Sequence, residues 1–355
     1  MRYPKGLKEN GTIGFVAPSF GCATQPYKAA FEAALGKWTK QGYRLKLGPN
    51  CFVGEGIGIS NTPIKCAQEL MDGYVDTQSD VLISCGGGEL MCETISHVDF
   101  SKINEATPKW FMGYSDNTNF TFLLNTICDV ASIYGPCAAT FGMEDEHKTL
   151  RDAFSILTAQ GGGEKLHFDG YDKWEMVGIK DEEHPLAGYN LDTDSYVKVY
   201  VGDGKEYEHA IEASNINMEG RLIGGCLDIL VNICGTRFDK VTEFNDKYKD
   251  DGIIWFLESC DLNMLSYRRA MWELDEAGWF TNAKGFIIGR PLHFGENIMG
   301  LDQYKAVYDV LSKYKVPIIM DADLGHLPPA IPIISGSMAT VRAGEGKWEI
   351  DMEFK

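Results

Sequence analysis

The sequence lacks long apolar runs and an excess of positive charge, and each absence excludes a class of protein. Mean hydropathy is −0.19, and no apolar run reaches the roughly 18 residues that a membrane span needs. Residues 1–12 are polar, so we expect no signal peptide and a cytoplasmic protein. There are 33 Lys and Arg against 51 Asp and Glu, a formal net charge of −18. This charge argues against nucleic acid and against an anionic membrane surface as partners.

The sequence also lacks the common metal and cofactor motifs. Its ten cysteines are scattered without C-x-x-C spacing, which is typical of buried free thiols in a reducing cytoplasm. H-E-x-x-H and EF-hand patterns are absent, so we predict no metal. Glu89 and Leu90 follow Gly86-Gly87-Gly88, which breaks the dinucleotide motif G-x-G-x-x-G. We therefore predict no cofactor. Cys85 and Cys260 stay open as nucleophiles, without a supporting signature.

Apolar runs alternate with helical segments through the first half of the chain. Strand-like runs lie at 12–19, 43–47, 80–84, 110–112 and 131–134, with helical periodicity at 26–40, 64–74 and 120–127. Such alternation predicts a parallel sheet covered by helices, a Rossmann-like domain over residues 1–160. Sites in such sheets form at the carboxyl ends of strands. The turns at Ser19, Gly86–Gly88, Ser115 and Gly135 all fall there.

The second half of the chain begins with a break in this pattern. Residues 161–218 have no clear period and are predicted to form a linker with an inserted loop, either a lid or a solvated connector. Residues 219–355 are predicted to form a second unit, with strands at 252–257, 285–289 and 316–320 and helices at 267–277 and 304–314. A C-terminal hairpin is predicted over 339–354, turning at 344–346.

The stretch Gly113-Tyr114-Ser115-Asp116 lies between a strand and a helix. A sharp strand-to-helix turn at Gly-x-Ser is the geometry of a nucleophile elbow, and the helix N-terminus offers N–H groups to an oxyanion. Asn117 stands where the usual second glycine would be. The alternative is that Ser115 and Asp116 cap the following helix.

A nucleophilic serine needs a base, and the base needs a partner that fixes its tautomer. His326 follows a strand in a Gly-His-Leu-Pro-Pro loop, and Glu258 ends an apolar strand, where an unpaired carboxylate is costly. The alternatives are a structural loop histidine and an ion pair of Glu258 with Arg268 or Arg269. Gly86–Gly88 suits either a phosphate cradle or an oxyanion-binding N–H.

Seven segments together resemble the LD-carboxypeptidase family of serine peptidases, which includes the microcin-C immunity peptidases. They are Val16–Ser19, Gly86-Gly87, Gly113–Asp116, Gly135-Pro136, Gly220–Gly225, Phe256–Glu258 and Gly325-His326. Gly-Tyr-Ser-Asp is the most specific of them. The order Ser, Glu, His along the chain is also that of the family.

The resemblance implies Ser115 as the nucleophile, His326 as the general base and acid, and Glu258 as the residue that orients it. It further implies an oxyanion hole from the backbone N–H groups of Gly87 and Asp116. The implied fold is an α/β N-terminal domain and a smaller α+β C-terminal domain, with the site between them, in a homodimer. Tyr114, Tyr134 and Trp174 are the predicted substrate contacts. Tyr134 departs from the family, where histidine often precedes Gly-Pro.

Two substrates are compatible with the resemblance, a small peptide or a peptidyl-nucleotide. We favour an LD-carboxypeptidase that removes the terminal D-alanine of a muropeptide tetrapeptide in peptidoglycan recycling. An immunity-type peptidase would cut aminoacyl-nucleotide amides and stack the adenine on an aromatic side chain. A hypothesis of another class is a non-catalytic α/β protein that binds a small molecule at Gly86–Gly88.

Overall fold

Sixteen strands build two large sheets and one short hairpin in the computed structural model, which describes residues 1–355. The strands are β1 (Thr12–Val16), β2 (Arg44–Leu47), β3 (Val81–Ser84), β4 (Trp110–Gly113), β5 (Ser132–Tyr134), β6 (Lys165–Asp169), β7 (Lys173–Trp174), β8 (Thr193–Asp194), β9 (Lys198–Val201), β10 (Asn215–Cys226), β11 (Ile253–Glu258), β12 (Ala283–Gly289), β13 (Pro317–Ala322), β14 (Ile333–Ser335), β15 (Met338–Gly344) and β16 (Lys347–Glu353).

The first sheet has the order β14-β5-β4-β3-β1-β2. Its strands β1 to β5 pair in parallel, and β14 pairs antiparallel with β5. The central strands β3 and β4 are buried along their whole length, as expected for a parallel sheet covered on both faces. This arrangement confirms the predicted parallel α/β domain. Because the strands are parallel, the turns after β3, β4 and β5 meet at one edge.

The second sheet has the order β6-β16-β15-β10-β11-β12-β13-β9. Its central strands β10 to β13 pair in parallel, whereas the outer strands pair antiparallel. Residues 165–169 and 198–201, predicted to lie in an irregular linker, are edge strands of this sheet. Their short length and partly exposed positions left no strong period in the sequence. The division at 160 and 218 stays a prediction.

Ten α-helices cover the sheets. They are α1 (Tyr27–Lys40), α2 (Pro63–Val75), α3 (Met91–Ile95), α4 (Phe100–Glu105), α5 (Thr118–Thr126), α6 (Lys148–Thr158), α7 (Leu227–Ile233), α8 (Val241–Lys247), α9 (Met264–Glu276) and α10 (Gln303–Leu311). None of them combines the length and the apolarity that crossing a membrane would require.

Helix α5 joins the two sheets. Its residues 118–125 are all buried, so it has no solvent face. Phe120 packs edge-on against Phe111 of the first sheet at 4.9 Å between ring centroids. Phe122 stacks on Trp279 at 5.3 Å, next to Trp255 of the second sheet. A helix buried on all sides is held by both neighbours, so the turn that precedes α5 has a fixed position relative to both sheets.

Candidate active site

Ser115 lies in a strained turn between β4 and α5. Its backbone φ is 61°, in the left-handed region that non-glycine residues rarely adopt. Residues 115–117 form one 3-10 turn before the helix, and no side chain caps the start of α5. The prediction of a capping serine is therefore wrong, and the turn is free to present the serine hydroxyl away from the sheet.

Three side chains from distant parts of the chain form one hydrogen-bonded row. Ser115 Oγ lies 2.9 Å from His326 Nε2, and His326 Nδ1 lies 2.7 Å from Glu258 Oε2. Ser115 comes from the first sheet, whereas Glu258 ends β11 of the second and His326 follows β13. Glu258 is fully buried, and the His326 side chain is 13% exposed. This row has the geometry of a nucleophile, its base and an orienting carboxylate.

Burial and charge act in opposite directions on the buried acid-base pair. Burial alone would lower the pKa of His326, but the Glu258 carboxylate and hydrogen bonds raise this pKa well above its ordinary value. Burial alone would raise the pKa of Glu258, but the facing imidazolium and its hydrogen bonds lower it. The ion pair is therefore favoured in the free protein, so a carboxylate is in place to stabilise a protonated His326.

Tyr134 connects the carboxylate to the serine turn. Its hydroxyl donates to Glu258 Oε1 at 2.5 Å and accepts from the Ser115 N–H at 3.2 Å. The ring is 2% exposed and packs 5.6 Å from Phe256. Although a substrate contact was predicted here, the hydroxyl is used within the protein. Tyr134 thus fixes Glu258 and the Ser115 backbone together.

Gly325 allows His326 to approach Glu258. Its φ is 101°, and a Cβ at this position would lie 2.7 Å from Glu258 Oε2 and 2.8 Å from its Cβ. Any side chain would therefore displace the carboxylate as well as strain the backbone. The glycine before the histidine is thus required by the packing of the pair.

Two backbone N–H groups lie next to the serine. A Cβ at Gly87 would lie 3.4 Å from Ser115 Oγ, so this turn passes directly beside the hydroxyl. The N–H groups of Gly87 and Asp116 donate no hydrogen bond to other backbone groups. Both therefore lack a backbone partner, which an oxyanion hole requires of its donors, and their role as that hole stays a prediction.

The Asp116 side chain turns inward and holds the first sheet's loops together. Its carboxylate accepts hydrogen bonds from the Ser19 hydroxyl, from the Met91 N–H at 3.0 Å and from Asn119 Nδ2 at 3.0 Å. Burial raises the pKa of Asp116 to about 6. No pattern in the sequence indicates this network, because its members are 97, 25 and 3 residues away from Asp116.

A cavity of about 210 Å³ opens beside His326. It is lined by His326, Tyr114, Tyr134, Tyr27, Tyr189, Glu175, Lys180 and neighbouring small residues. The Tyr114 ring lies 5.2 Å from the His326 ring. Two larger cavities, of about 670 and 730 Å³, are not lined by His326. The small cavity is therefore the one that reaches the imidazole, and His326 and Tyr134 stand in its wall.

The structure does not bring Trp174 to this cavity. Its ring is 3% exposed and packs against Phe294 at 5.1 Å and against the Arg290 guanidinium at 4.9 Å. The cavity wall is built instead by Glu175, Lys180 and Tyr189 from the following segment. Sequence reasoning named aromatic residues there but missed Lys180, which stands among ordinary surface charges and carries no local signal.

Neither an arginine partner for Glu258 nor a cysteine nucleophile finds support. Arg268 pairs with Asp309 at 3.3 Å, and Arg269 bonds to Ser266, so neither neutralises Glu258. Burial raises the pKa of Cys85 well above its ordinary value. Burial also raises the pKa of Cys260. A raised pKa favours the protonated, weakly nucleophilic thiol, although the contact of Cys260 with His326 lowers the pKa of that thiol in part.

Two protein-family profiles match the chain. The profile described as the LD-carboxypeptidase N-terminal domain matches residues 13–135, and that of the LD-carboxypeptidase C-terminal domain matches residues 219–341. Ser115 lies in the first range, and Glu258 and His326 lie in the second. The family predicted from the sequence is therefore confirmed.

Individual relatives match over nearly the whole chain. A probable murein peptide carboxypeptidase of Bacillus subtilis (strain 168) is 23% identical over 349 residues, covering 96% of this chain and 92% of the relative. Microcin C7 self-immunity protein MccF of Escherichia coli is 24% identical over 337 residues, covering 93% and 90%. A solved structure of MccF in complex with aspartyl sulfamoyl adenosine has a TM-score of 0.79 at 21% identity, covering 100% and 99%. These matches confirm the two-domain α/β fold.

Proposed function

Because this chain belongs to the LD-carboxypeptidase family of peptidases, we propose that it is a serine-type carboxypeptidase with Ser115, His326 and Glu258 as its catalytic triad. The observation that carries the proposal is the row of hydrogen bonds from Ser115 Oγ through His326 to Glu258. A serine in a left-handed turn, paired with a buried imidazole and carboxylate, is suited to acyl transfer.

The geometry gives each group one task. Ser115 Oγ attacks the amide carbon while His326 Nε2 takes its proton, and the carbonyl electrons move onto the oxygen. The N–H groups of Gly87 and Asp116 stabilise that oxyanion. His326 then gives the proton to the leaving amine as the C–N bond breaks, and water, activated by the same imidazole, hydrolyses the ester. Glu258 stabilises the imidazolium in both halves of the reaction.

The substrate we favour is a muropeptide tetrapeptide that loses its terminal D-alanine. The cavity of about 210 Å³ supports this choice, because it is smaller than the roughly 300–1,000 Å³ of pockets that hold drug-sized ligands. A single small amino acid fits such a space better than a nucleoside. The relative named as a murein peptide carboxypeptidase supports the same choice. The homodimer and the cytoplasmic location stay predictions.

A second candidate is cleavage of aminoacyl-nucleotide amides. Tyr27, Tyr114 and Tyr189 line the cavity and supply aromatic rings beside it, and a solved MccF structure of the same fold holds aspartyl sulfamoyl adenosine. Aromatic rings stack on bases without sequence specificity. The two candidates share the triad and differ in the leaving group.

Product analysis by mass spectrometry separates the candidates. The protein is incubated with a muropeptide tetrapeptide and, separately, with aspartyl sulfamoyl adenosine, and Ser115→Ala is the matched control. We expect release of D-alanine by the unaltered protein only. Faster release of the sulfamoyl adenosine would favour the second candidate. A folded protein that binds either compound equally well with and without Ser115, and cleaves neither, would support the binding-protein hypothesis instead.

A further inference from the structure

The cavity beside His326 contains one lysine and one carboxylate. Lys180 and Glu175 both line it, together with His326 as the only other basic residue. Lys180 is half-buried, although the residues that follow it in the chain, Asp181 to His184, are exposed. Its ammonium lies 5.9 Å from the centre of the Tyr27 ring, within the range of a cation–π contact. The lysine is therefore part of the cavity wall.

Lys180 has no anionic partner in the protein. It forms no ion pair, although the chain carries 51 carboxylate side chains for 33 Lys and Arg. Glu175 lines the same cavity but forms no ion pair with Lys180, and its Oε2 accepts the Asn190 N–H at 2.5 Å. Burial lowers the pKa of Lys180, with no neighbouring carboxylate to raise it. A half-buried cation without a partner is costly unless an anion from outside completes the site.

The segment that carries Lys180 is attached to the loop of His326. The Glu175 N–H donates to the Pro328 carbonyl at 2.8 Å, two residues after His326. The Met176 N–H donates to Asp192 at 3.2 Å, which closes the base of the segment. The segment is therefore anchored to the His326 loop, and Lys180 lines the same cavity as His326.

We propose that Lys180 forms an anion-binding subsite that recognises the acidic group of the leaving part of the substrate. This inference rests on the proposed function, because it places the acidic group next to the amide that Ser115 attacks. The shared chemistry is a single negative charge close to the scissile bond. It is supplied by a terminal carboxylate in a peptide, or by the acidic sulfamoyl or phosphoryl group in an aminoacyl-nucleotide.

The positive charge of Lys180 also offsets, locally, the negative charge of the whole molecule. With a formal net charge of −18, the protein repels anionic substrates at long range. An ammonium in a partly water-excluded cavity attracts an anion more strongly than a solvated surface lysine does. The same residue therefore gives selectivity for peptides that end at the cleaved residue over peptides that continue beyond it.

The test compares Lys180→Met with the unaltered protein on two substrates. One is the tetrapeptide with a free terminal carboxylate, and the other is the same peptide with a terminal amide. We expect Lys180→Met to reduce kcat/KM for the acid by about 10- to 100-fold, the loss of one charge-assisted hydrogen bond, mainly through KM. Cleavage of the amide should change less than about threefold. Lys180→Arg should restore most of the preference for the acid.

Lys347→Met is the matched control, because that lysine is 84% exposed on a hairpin of the second sheet. It should leave both reactions unchanged. Equal losses for acid and amide in Lys180→Met, or no loss for either, would overturn the inference. Aspartyl sulfamoyl adenosine is the second arm: a Lys180-dependent KM for this compound alone would assign the subsite to nucleotide amides.

A binding measurement separates this inference from the proposed function. Calorimetry on Ser115→Ala, with and without Lys180→Met, gives the affinity for the tetrapeptide acid and amide without turnover. If the unaltered protein cleaves nothing but Lys180 still selects the acid, the proposed function fails and the subsite stands. If cleavage occurs and the acid binds no more tightly than the amide, the subsite fails and the proposed function stands.

Discussion

The two walls of the active-site cavity differ in how they are held. The first wall contains His326 and Tyr134. Hydrogen bonds of 2.5–3.2 Å join both of them to Ser115 and to the fully buried Glu258, so this wall is tied to both sheets. The wall that carries Lys180 belongs to residues 175–192, where Met176, Val177 and Ile179 are largely exposed. Under the proposed function, the packing of both sheets holds the reacting groups, whereas the proposed selectivity of Lys180 resides in a more exposed segment.

The largest effect is expected from replacing Ser115, the proposed nucleophile. Ser115→Ala should lower kcat by about 10⁶-fold, as expected for loss of a residue that acts as a unit with its base, and should do so for every substrate. Steady-state kinetics with product detection measures the change. Ser101→Ala, an exposed serine at the start of α4, is the control and should keep full activity. A fall in kcat for only one substrate would contradict the assignment of Ser115 as the general nucleophile.

The next effect concerns the charge of the carboxylate. Glu258→Gln should lower kcat by about 10⁴-fold, and it should also lower the pKa of His326, because the imidazolium loses its anionic partner. In the unaltered protein kcat/KM should rise with pH through a pKa above 6.5, since neutral His326 is the base. In the variant this acid limb should move to lower pH. An unmoved limb would show that another group titrates in the reaction.

The pKa shifts of His326 and Glu258 also predict how the free energy of unfolding changes with pH. Because the folded pKa of His326 is raised, its contribution to the free energy of unfolding is present below pH 6.5 and is lost as pH rises through the folded value. Because the folded pKa of Glu258 is lowered, its contribution is present above pH 4.5 and is lost as pH falls through the folded value. Urea unfolding across pH, compared with Glu258→Gln, measures both.

The third prediction tests whether the packing between the sheets positions the first wall. Phe122→Ala leaves a cavity where the ring stacks on Trp279 and should lower the free energy of unfolding by about 3–5 kcal/mol. Urea unfolding checks the loss, and kcat below the transition should fall with it because α5 follows the serine turn. Trp272→Ala removes a ring that is 57% exposed and should cost less than about 1 kcal/mol. Equal losses in the free energy of unfolding for Phe122→Ala and Trp272→Ala would contradict the inference that α5 positions the serine turn.

The smallest effect in this series is expected from removing the hydroxyl of Tyr134. Tyr134→Phe keeps the ring against Phe256 but removes the hydrogen bonds to Glu258 and to the Ser115 N–H. A hydrogen bond to a charged group is worth about 1.5–3 kcal/mol, so kcat should fall by about 10- to 100-fold with little change in KM. Tyr43→Phe, at a half-buried ring packed on Phe154, is the control. A rise in KM without a fall in kcat would instead support the prediction that Tyr134 contacts the substrate.

The first wall was largely predictable from the sequence. A strand followed by Gly113, Ser115 and a helical period predicts an elbow, Glu258 ends an apolar strand, and His326 follows one. The parallel strands β11 to β13 bring Glu258 and His326 to one edge of the second sheet. That this edge meets Ser115 of the first sheet depends on how the two sheets pack, for which only the resemblance to the family gave an indication. What the sequence did not show is the bridge made by Tyr134, because a tyrosine at a strand end is equally typical of a packed or a ligand-binding ring.

The second wall was not predictable. Trp174 looked like a binding residue because large aromatic side chains often are, yet it is buried against Arg290 and Phe294. Lys180 looked like a solvated charge, since its position in the cavity depends on how the chain from 175 to 192 folds back. Such a segment has no periodicity, so its geometry is set by tertiary contacts such as that of Glu175 with Pro328.

The most direct test of the catalytic triad is covalent labelling with a fluorophosphonate, followed by peptide mass spectrometry. We predict one modified residue, Ser115, in the unaltered folded protein, and at least about 100-fold slower labelling in His326→Ala, because the serine then lacks its base. Labelling at another residue, or labelling of Ser115 at the same rate without His326, would contradict the triad.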